Sequence, residues 1–376
     1  MSVKIFHTAD LHIGMKFNNY PEPVKGLLQQ ARVEVLEKMV AMANEENCSL
    51  FVIAGDLFHN IKGIDKKTVS RVASALEAFQ GECVLVLPGN HDYDNNMIDL
   101  WTSFNKLAGE KILFLNQERP YSLEEYGLDV VVYPAPCHSK HSDINNLGWL
   151  KEQPIEEMLD QDKLHIGIAH GSLEGISPDL DMNYFPMSLA ELDDIPVNVW
   201  LLGHTHISYP DKDSVAEWKV FFPGTPEPDG LDCRHSGNAW VINIDEEKAV
   251  RAKRVTVGIY RFIDEVYPIS DKEDLDAIVV ELTNDAPETT VARIHLKGRV
   301  EQEVFDSRHE VYRAIEDAIA YLIVDDSDLG IRITKEKIFK EFSQGSFPQQ
   351  FLAALAEEED EDALQIGYEL VMGVRK

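Results

Sequence analysis

The chain has 376 residues, 44% of them hydrophobic and 27% charged, which suits a large catalytic domain plus a smaller one and excludes wholesale disorder. Sixty-six acidic residues against thirty-five basic ones give a net charge of −31 and a pI near 4.7, spread along the chain instead of gathered in a tail. Composition alone therefore argues against a typical salt-driven nucleic-acid binder, unless bound cations or a basic partner offset the charge.

Val3–Phe6 reads as a strand opening into His7-Thr8-Ala9-Asp10-Leu11-His12. A helix is predicted over 24–46, because Leu28, Val35, Leu36, Met39, Val40 and Ala43 share one face at the 3.6-residue period. Leu50–Ala54 is a continuous buried-type strand ending at Gly55-Asp56, and Val69, Val72, Ala73, Leu76 and Phe79 mark the next helix. Cys83–Leu87 is a further strand, closed by Pro88-Gly89-Asn90-His91-Asp92. This β-α-β-α-β order points to a sheet with helical crossovers. Later strands are Val130–Tyr133, Leu164–Ala169, Val199–Leu202, Val220–Phe222 and Trp240–Ile244. The strand-rich stretch 199–260 suggests that a second, more antiparallel sheet completes the domain. Beyond it, Ala292–Leu296, a helix from about His309 to Leu322, and Ile331–Ile333 make a compact α/β unit, and 335–376 is helical in pattern. The predicted division is 1–254, 255–334 and 335–376.

The four cysteines, Cys48, Cys83, Cys137 and Cys233, include no CxxC pair, against a disulfide frame or a thiolate zinc site. No basic segment followed by a long apolar stretch opens the chain, and its apolar runs are strand-sized. The expectation is a cytoplasmic protein with no signal peptide and no membrane span.

Ligand-type side chains follow five separate apolar runs: Asp10 and His12, Asp56, Asn90 and His91, His170, and His204 with His206. Open sheets place functional groups outside the carboxyl ends of their strands, so the five loops can converge on one cleft. Imidazole and carboxylate donors suit a dinuclear Mn, Fe or Zn centre. In Asp10-x-His12 and His204-x-His206, residues two apart in extended chain point the same way, so one loop can supply two ligands. Asp56, alone at its strand end, is the natural bridging carboxylate. Two ions about 3.5–4 Å apart could share it and clamp the attacking and leaving oxygens of an in-line displacement at phosphorus. His91, beside Asn90, is placed to stabilise the transition state or protonate the leaving alkoxide.

The ordered set Asp10-x-His12, Gly55-Asp56, Gly89-Asn90-His91-Asp92, Ala169-His170-Gly171 and Gly203-His204-Thr205-His206 resembles the calcineurin-like metallophosphoesterases. Within them, the chain is most similar to the SbcD-type DNA-repair nucleases. That narrower likeness rests on Thr8–Gly14, Gly55–His59, Phe222–Pro228 and Arg293–Arg299. The resemblance implies a two-sheet sandwich flanked by helices, a smaller α/β capping domain and a C-terminal helical segment that docks an SMC-like ATPase. It implies one metal on Asp10, His12, Asp56 and His206, the other on Asp56, Asn90, His170 and His204, with His91 and His59 as non-ligand catalytic histidines. It further implies manganese, dimerisation, and 3′-to-5′ double-strand exonuclease and single-strand or hairpin endonuclease activity on DNA ends. The alternative of the same superfamily is a cyclic-nucleotide, small-phosphoester or protein phosphatase, and a non-catalytic scaffold is the rival from another class.

Other polar features are read more plainly. His138 and His141 form an HxxH in a solvated or cleft-rim loop, His165 reads as structural, His7 lies one register off the ligand positions, and Lys62, Lys66 and Lys67 are either a phosphate-contacting cluster or a solvated helix start. The acidic run Glu357–Asp362 is either a solvated loop or a spacer between two docking helices.

Overall fold

The structure, a computed structural model, describes residues 2–152, 160–178, 183–358 and 360–374. Glu359 of the acidic run and the last two residues of the C-terminal segment lie outside the described residues. The chain forms two compact units, Met1–Arg261 and Phe262–Lys376.

The first unit contains β1 (Val3–Thr8), β2 (Leu50–Ala54), β3 (Cys83–Leu87), β4 (Ile112–Phe114), β5 (Tyr121–Ser122), β6 (Val130–Ala135), β7 (Leu164–His170), β8 (Val199–Gly203), β9 (Ser214–Ala216), β10 (Val220–Phe221), β11 (Asn238–Ile244) and β12 (Val250–Thr256). Among the described residues these build a seven-stranded sheet in the order β4-β3-β2-β1-β11-β12-β9 and a five-stranded sheet in the order β10-β8-β7-β6-β5.

Why the sequence runs are continuously apolar follows from the layering. Successive strand residues point to opposite faces. In β2, Leu50, Val52 and Ala54 enter the core between the two sheets with Ile5, Leu85, Ile166, Leu201 and Trp240. Phe51 and Ile53 point the other way, into a core shared with the helices Val24–Glu45, Lys66–Glu77 and Asp99–Leu107. A strand covered on both faces has no polar side to show, which is why alternation is missing from the runs that end in ligands. The far face of the second sheet is covered by Leu147, Leu150, Met187 and Leu192 around Trp200.

One expectation changes. The antiparallel strands β11 and β12 do not found a second sheet; β11 pairs antiparallel with β1 and extends the first. The second sheet is mainly parallel through β6, β7, β8 and β10. Apolar runs fix burial but not the neighbour on either side, so pairing across more than two hundred residues was not readable locally.

In the second unit, β13 (Arg261–Pro268), β14 (Thr290–Val300) and β15 (Tyr321–Ile331) form a three-stranded sheet, covered by the helices Lys272–Thr283 and Gln302–Glu316. The predicted helix over 309–322 therefore starts and ends earlier, at Gln302 and Glu316, and of the predicted strand Ile331–Ile333 only Ile331 is in a strand, as the last residue of β15. Its polar middle, Asp325-Asp326-Ser327-Asp328, hides β15 from a hydrophobicity reading because that stretch is only partly covered. The helices Lys335–Glu341, Phe347–Leu355 and Glu361–Val374 follow, around Ile338, Phe342, Leu352 and Leu364. Among the described residues, no helix is long and apolar enough to cross a membrane.

Candidate metal centre

Each predicted ligand sits at or just past the carboxyl end of one of five parallel strands: β1, β2 and β3 of the first sheet, β7 and β8 of the second. Backbone bonds tie the loops together. The Asp10 and His12 amides donate to the Gly55 and Asp56 carbonyls at 3.1 and 2.9 Å, and the His204 amide donates to the Asp10 carboxylate at 2.9 Å.

The geometry demands unusual backbone. Asp10, His12 and Asp56 all lie in the left-handed region, with φ of 56°, 49° and 53°, a conformation that costs a non-glycine residue energy and collects at functional sites. Gly55 and Gly89 make the approach possible. A Cβ on Gly55 would stand 2.1 Å from His170 Nδ1, and one on Gly89 would stand 2.2 Å from Asp56 Oδ1.

The side chains converge. His12 Nε2 lies 3.1 Å from His206 Nε2 and 3.7 Å from Asp56 Oδ2. On the other side of the same carboxylate, His170 Nε2 is 3.6 Å from Asp56 Oδ1 and 3.0 Å from Asn90 Oδ1, which is also 3.3 Å from His204 Nδ1. All seven predicted ligands are brought together, and Asp56 stands between two half-sites. Asp10, His12, Asp56, Asn90 and His170 are buried.

Hydrogen bonding assigns the tautomers that matter. His170 Nδ1 is 2.8 Å from the Ala54 carbonyl, which can only accept, so Nδ1 carries a hydrogen and a neutral ring turns the Nε2 lone pair toward two oxygens. His206 Nδ1 likewise faces Asp229 Oδ2 at 3.1 Å, which points its Nε2 lone pair at His12 Nε2. Lone pairs directed at oxygens and at one another repel unless positive charge lies among them. The titration tendencies express the same demand. Burial opposes charge on His170, but Asp56 and Asp10 overcome it and push the imidazole up to about 9. Burial also opposes charge on Asp56, yet His170 and His12 hold its carboxyl well below the usual carboxylate range. Burial raises Asp10 and lowers His12 well below its ordinary value. The amide Nδ2 of buried Asn90 has no hydrogen-bond partner while its Oδ1 faces both histidines, the orientation a ligating amide oxygen needs. These donors fit divalent cations of the hard-to-borderline class.

His91 and His59 flank the first half-site. The ring nitrogens of His12, His59 and His91 lie within 4.8 Å of one another, and the His59 and His91 rings stack at 5.2 Å. The His91 amide donates to Asp56 Oδ1 at 2.8 Å, and its Nδ1 donates to the His59 carbonyl at 3.1 Å. Burial and the neighbouring His91 push His59 down to about 4.

Sequence reasoning included Asp92 in a motif without giving it a task. Its carboxyl accepts from the Gly89 and Phe58 amides at 2.7 and 2.9 Å, locking the Asn90–His91 turn, while burial and the nearby Asp56 charge push it up to about 8. Asp229 was missed altogether; it lies just past the Phe222–Pro228 stretch, and only folding brings it to His206. His235 Nε2 donates to the His206 carbonyl at 2.8 Å and lines the cleft beside it, whereas His138 and His165 are held elsewhere. His138 Nδ1 donates to the Asp94 carbonyl at 2.7 Å, and His165 bonds the Asp160 carbonyl at 2.8 Å and the Tyr133 hydroxyl at 3.1 Å. Lys66 and Lys67 begin a helix capped by Asp65, whose carboxylate accepts from the Thr68 amide.

A cleft of about 760 Å³ opens on the centre, lined by Asp56, Asn90, His91, Tyr184, His204 and His206 and, further out, by Asp211, Asp232, Arg234 and Arg254.

Residues 3–208 match the family model described as calcineurin-like phosphoesterase. The chain is 26% identical over 217 residues to the DNA double-strand break repair protein Mre11 of Archaeoglobus fulgidus, covering 54% of this chain and 46% of that protein. It is 24% identical over 212 residues to the uncharacterized metallophosphoesterase YhaO of Bacillus subtilis, covering 53% and 48%. It is 22% identical over 235 residues to the Mre11 protein of Methanopyrus kandleri, covering 60% and 49%. The chain thus spans about half the length of the curated relatives it matches. Among solved structures, TT1561 of Thermus thermophilus aligns with a TM-score of 0.41 at 12% identity, over 68% of this chain and all of that one.

Proposed function

The chain belongs to the calcineurin-like phosphoesterase family, and from that premise we propose that it is a two-metal phosphodiesterase acting on DNA ends, the nuclease subunit of a cytoplasmic double-strand-break repair complex. The observation that supports the reading is the position of the Asp56 carboxylate between His12 at 3.7 Å on one side and His170 at 3.6 Å on the other. Asp10, His12, Asp56 and His206 would hold one cation, and Asp56, Asn90, His170 and His204 the other, with manganese the expected metal. Such cations supply Lewis acidity to phosphoryl oxygens and a water acidic enough to attack at neutral pH.

The protein's own groups do the rest. His91, its ring fixed through Nδ1 on the His59 carbonyl, has Nε2 to carry the proton that the leaving alkoxide takes up. Asp92 holds the turn on which Asn90 and His91 ride. Similarity to the two Mre11 proteins supports DNA as the substrate. Exposed apolar side chains on the C-terminal helices, Phe347, Phe351, Ile366 and Leu370, support docking of an SMC-like ATPase, which would also supply the cationic grip that a −31 chain lacks. The second unit would act as the capping domain.

A second reading, a small-phosphoester or cyclic-nucleotide hydrolase, is favoured by the net charge of −31, which opposes free-standing binding of a polyanion. Hydrolysis of bis-p-nitrophenyl phosphate, p-nitrophenyl phosphate and a labelled hairpin oligonucleotide in manganese separates the two. The nuclease reading expects cleavage of the diester and the hairpin with little on the monoester. Rapid monoester turnover with an intact hairpin favours the second reading, and full activity after chelation overturns both.

A further inference from the structure

Arg32 is fully buried in the helix Val24–Glu45, far from every predicted ligand in sequence. Its guanidinium donates to the Leu11 carbonyl at 3.2 Å, to Thr225 Oγ1 at 3.4 Å and to the Pro228 carbonyl at 3.3 Å. Leu11 is the residue between Asp10 and His12, and Pro228 precedes Asp229. One rigid fork therefore braces the loop that carries two ligands against the loop that carries the carboxylate beside a third. Thr225 closes the brace, its hydroxyl 3.1 Å from the Asp10 carbonyl.

Asp229 Oδ2 is 3.1 Å from His206 Nδ1. A carboxylate at that nitrogen decides which ring atom is left to ligate, fixes the plane of the ring and makes the imidazole a stronger donor. The corresponding bond of His170 runs to a neutral carbonyl, Ala54. The half-site of His206 also holds two carboxylates, Asp10 and Asp56, whereas the other pairs Asp56 with the neutral amide of Asn90.

From this geometry we infer that Asp229, held in place by Arg32, is a positioning residue for His206 that makes the Asp10–His12–Asp56–His206 position the tighter of two unequal metal positions. The inference deepens the two-metal reading and rests on it. Loss of Asp229 loosens one metal and spares the other, so the variant passes through a one-metal state at manganese concentrations that fill both positions in the wild type.

The test is calorimetric titration of the full chain with manganese alone, with electron paramagnetic resonance of the same samples to follow spin coupling between paired ions. Wild type is expected to give two unequal binding steps. Asp229→Ala weakens the tighter step by about 10–100-fold, the usual effect of removing such an outer partner, and leaves the other step within twofold. Asp229→Asn, which keeps an acceptor but no charge, falls between, and Asp229→Glu restores part of the loss; a merely structural role would not rank the three in that order. Circular dichroism confirms that each variant is folded. Two steps unchanged in Asp229→Ala, or both weakened equally, overturn the inference while leaving the two-metal reading intact. A wild type that binds fewer than two ions overturns that reading and this inference with it.

Discussion

Gly89→Ala tests whether the position of the Asp56 carboxylate matters. The added methyl would stand 2.2 Å from Asp56 Oδ1, 2.4 Å from Asp56 N and 2.9 Å from its Cγ. Retreat of the glycine is resisted, because its amide donates to Asp92 Oδ1 at 2.7 Å and the following turn is tied to Asp56 by the His91 amide. Relieving the clash to an ordinary contact moves the Asp56 carboxylate by about 1 Å, a displacement worth roughly a hundredfold in rate at a preorganised site. The accompanying overpacking costs about 1–3 kcal/mol of stability, small enough to leave the domain folded at 25 °C. Gly148, where an added Cβ would meet nothing within 4 Å, supplies the control: Gly148→Ala should be silent. The assay is turnover of bis-p-nitrophenyl phosphate in saturating manganese, with bound metal counted in the same preparation. A Gly89→Ala protein that binds two ions and turns over at the wild-type rate would refute the reasoning.

His91→Ala keeps the backbone amide that donates to Asp56 and removes only the ring; turnover is expected to fall about 10²–10⁴-fold with two metals still bound by elemental analysis. Glu227 is buried beneath the Ile259 and Tyr260 amides, which donate to it at 2.6 and 2.8 Å, and burial pushes its carboxyl up to about 7. Because the folded protein then holds this proton more tightly than the unfolded chain, its contribution is fully present below about pH 4.5 and is lost as pH rises toward 7, about 3 kcal/mol in all. Urea titrations of wild type and Glu227→Gln across pH 5–8 should differ by that slope, and parallel curves would contradict it.

How much was legible in the sequence depends on the range over which each feature is decided. The ligand loops could be read because each is a local event, a doubly covered apolar run ending in a polar turn, and parallel pairing then gathers the ends without further instruction. The helix Val24–Glu45 could be read from its 3.6-residue face for the same reason. β15 could not, since Asp325, Asp326 and Asp328 interrupt its apolar pattern. Membership of β11 and β12 in the first sheet could not be read either, because it depends on the pairing of Trp240 with His7 across the whole domain. Arg32 was indistinguishable from a solvated helix arginine until folding placed a carbonyl 196 residues away within its reach. Asp229 lies within a loop whose composition carries no ligand signature of its own.

The central claim is that Asp56 is shared by two cations, and anomalous scattering from crystals grown in manganese tests it most directly. The account predicts two peaks astride that carboxylate, one also touching Asp10, His12 and His206, the other Asn90, His170 and His204. A single peak, or manganese bound at carboxylates elsewhere with Asp56 uncoordinated, would contradict it.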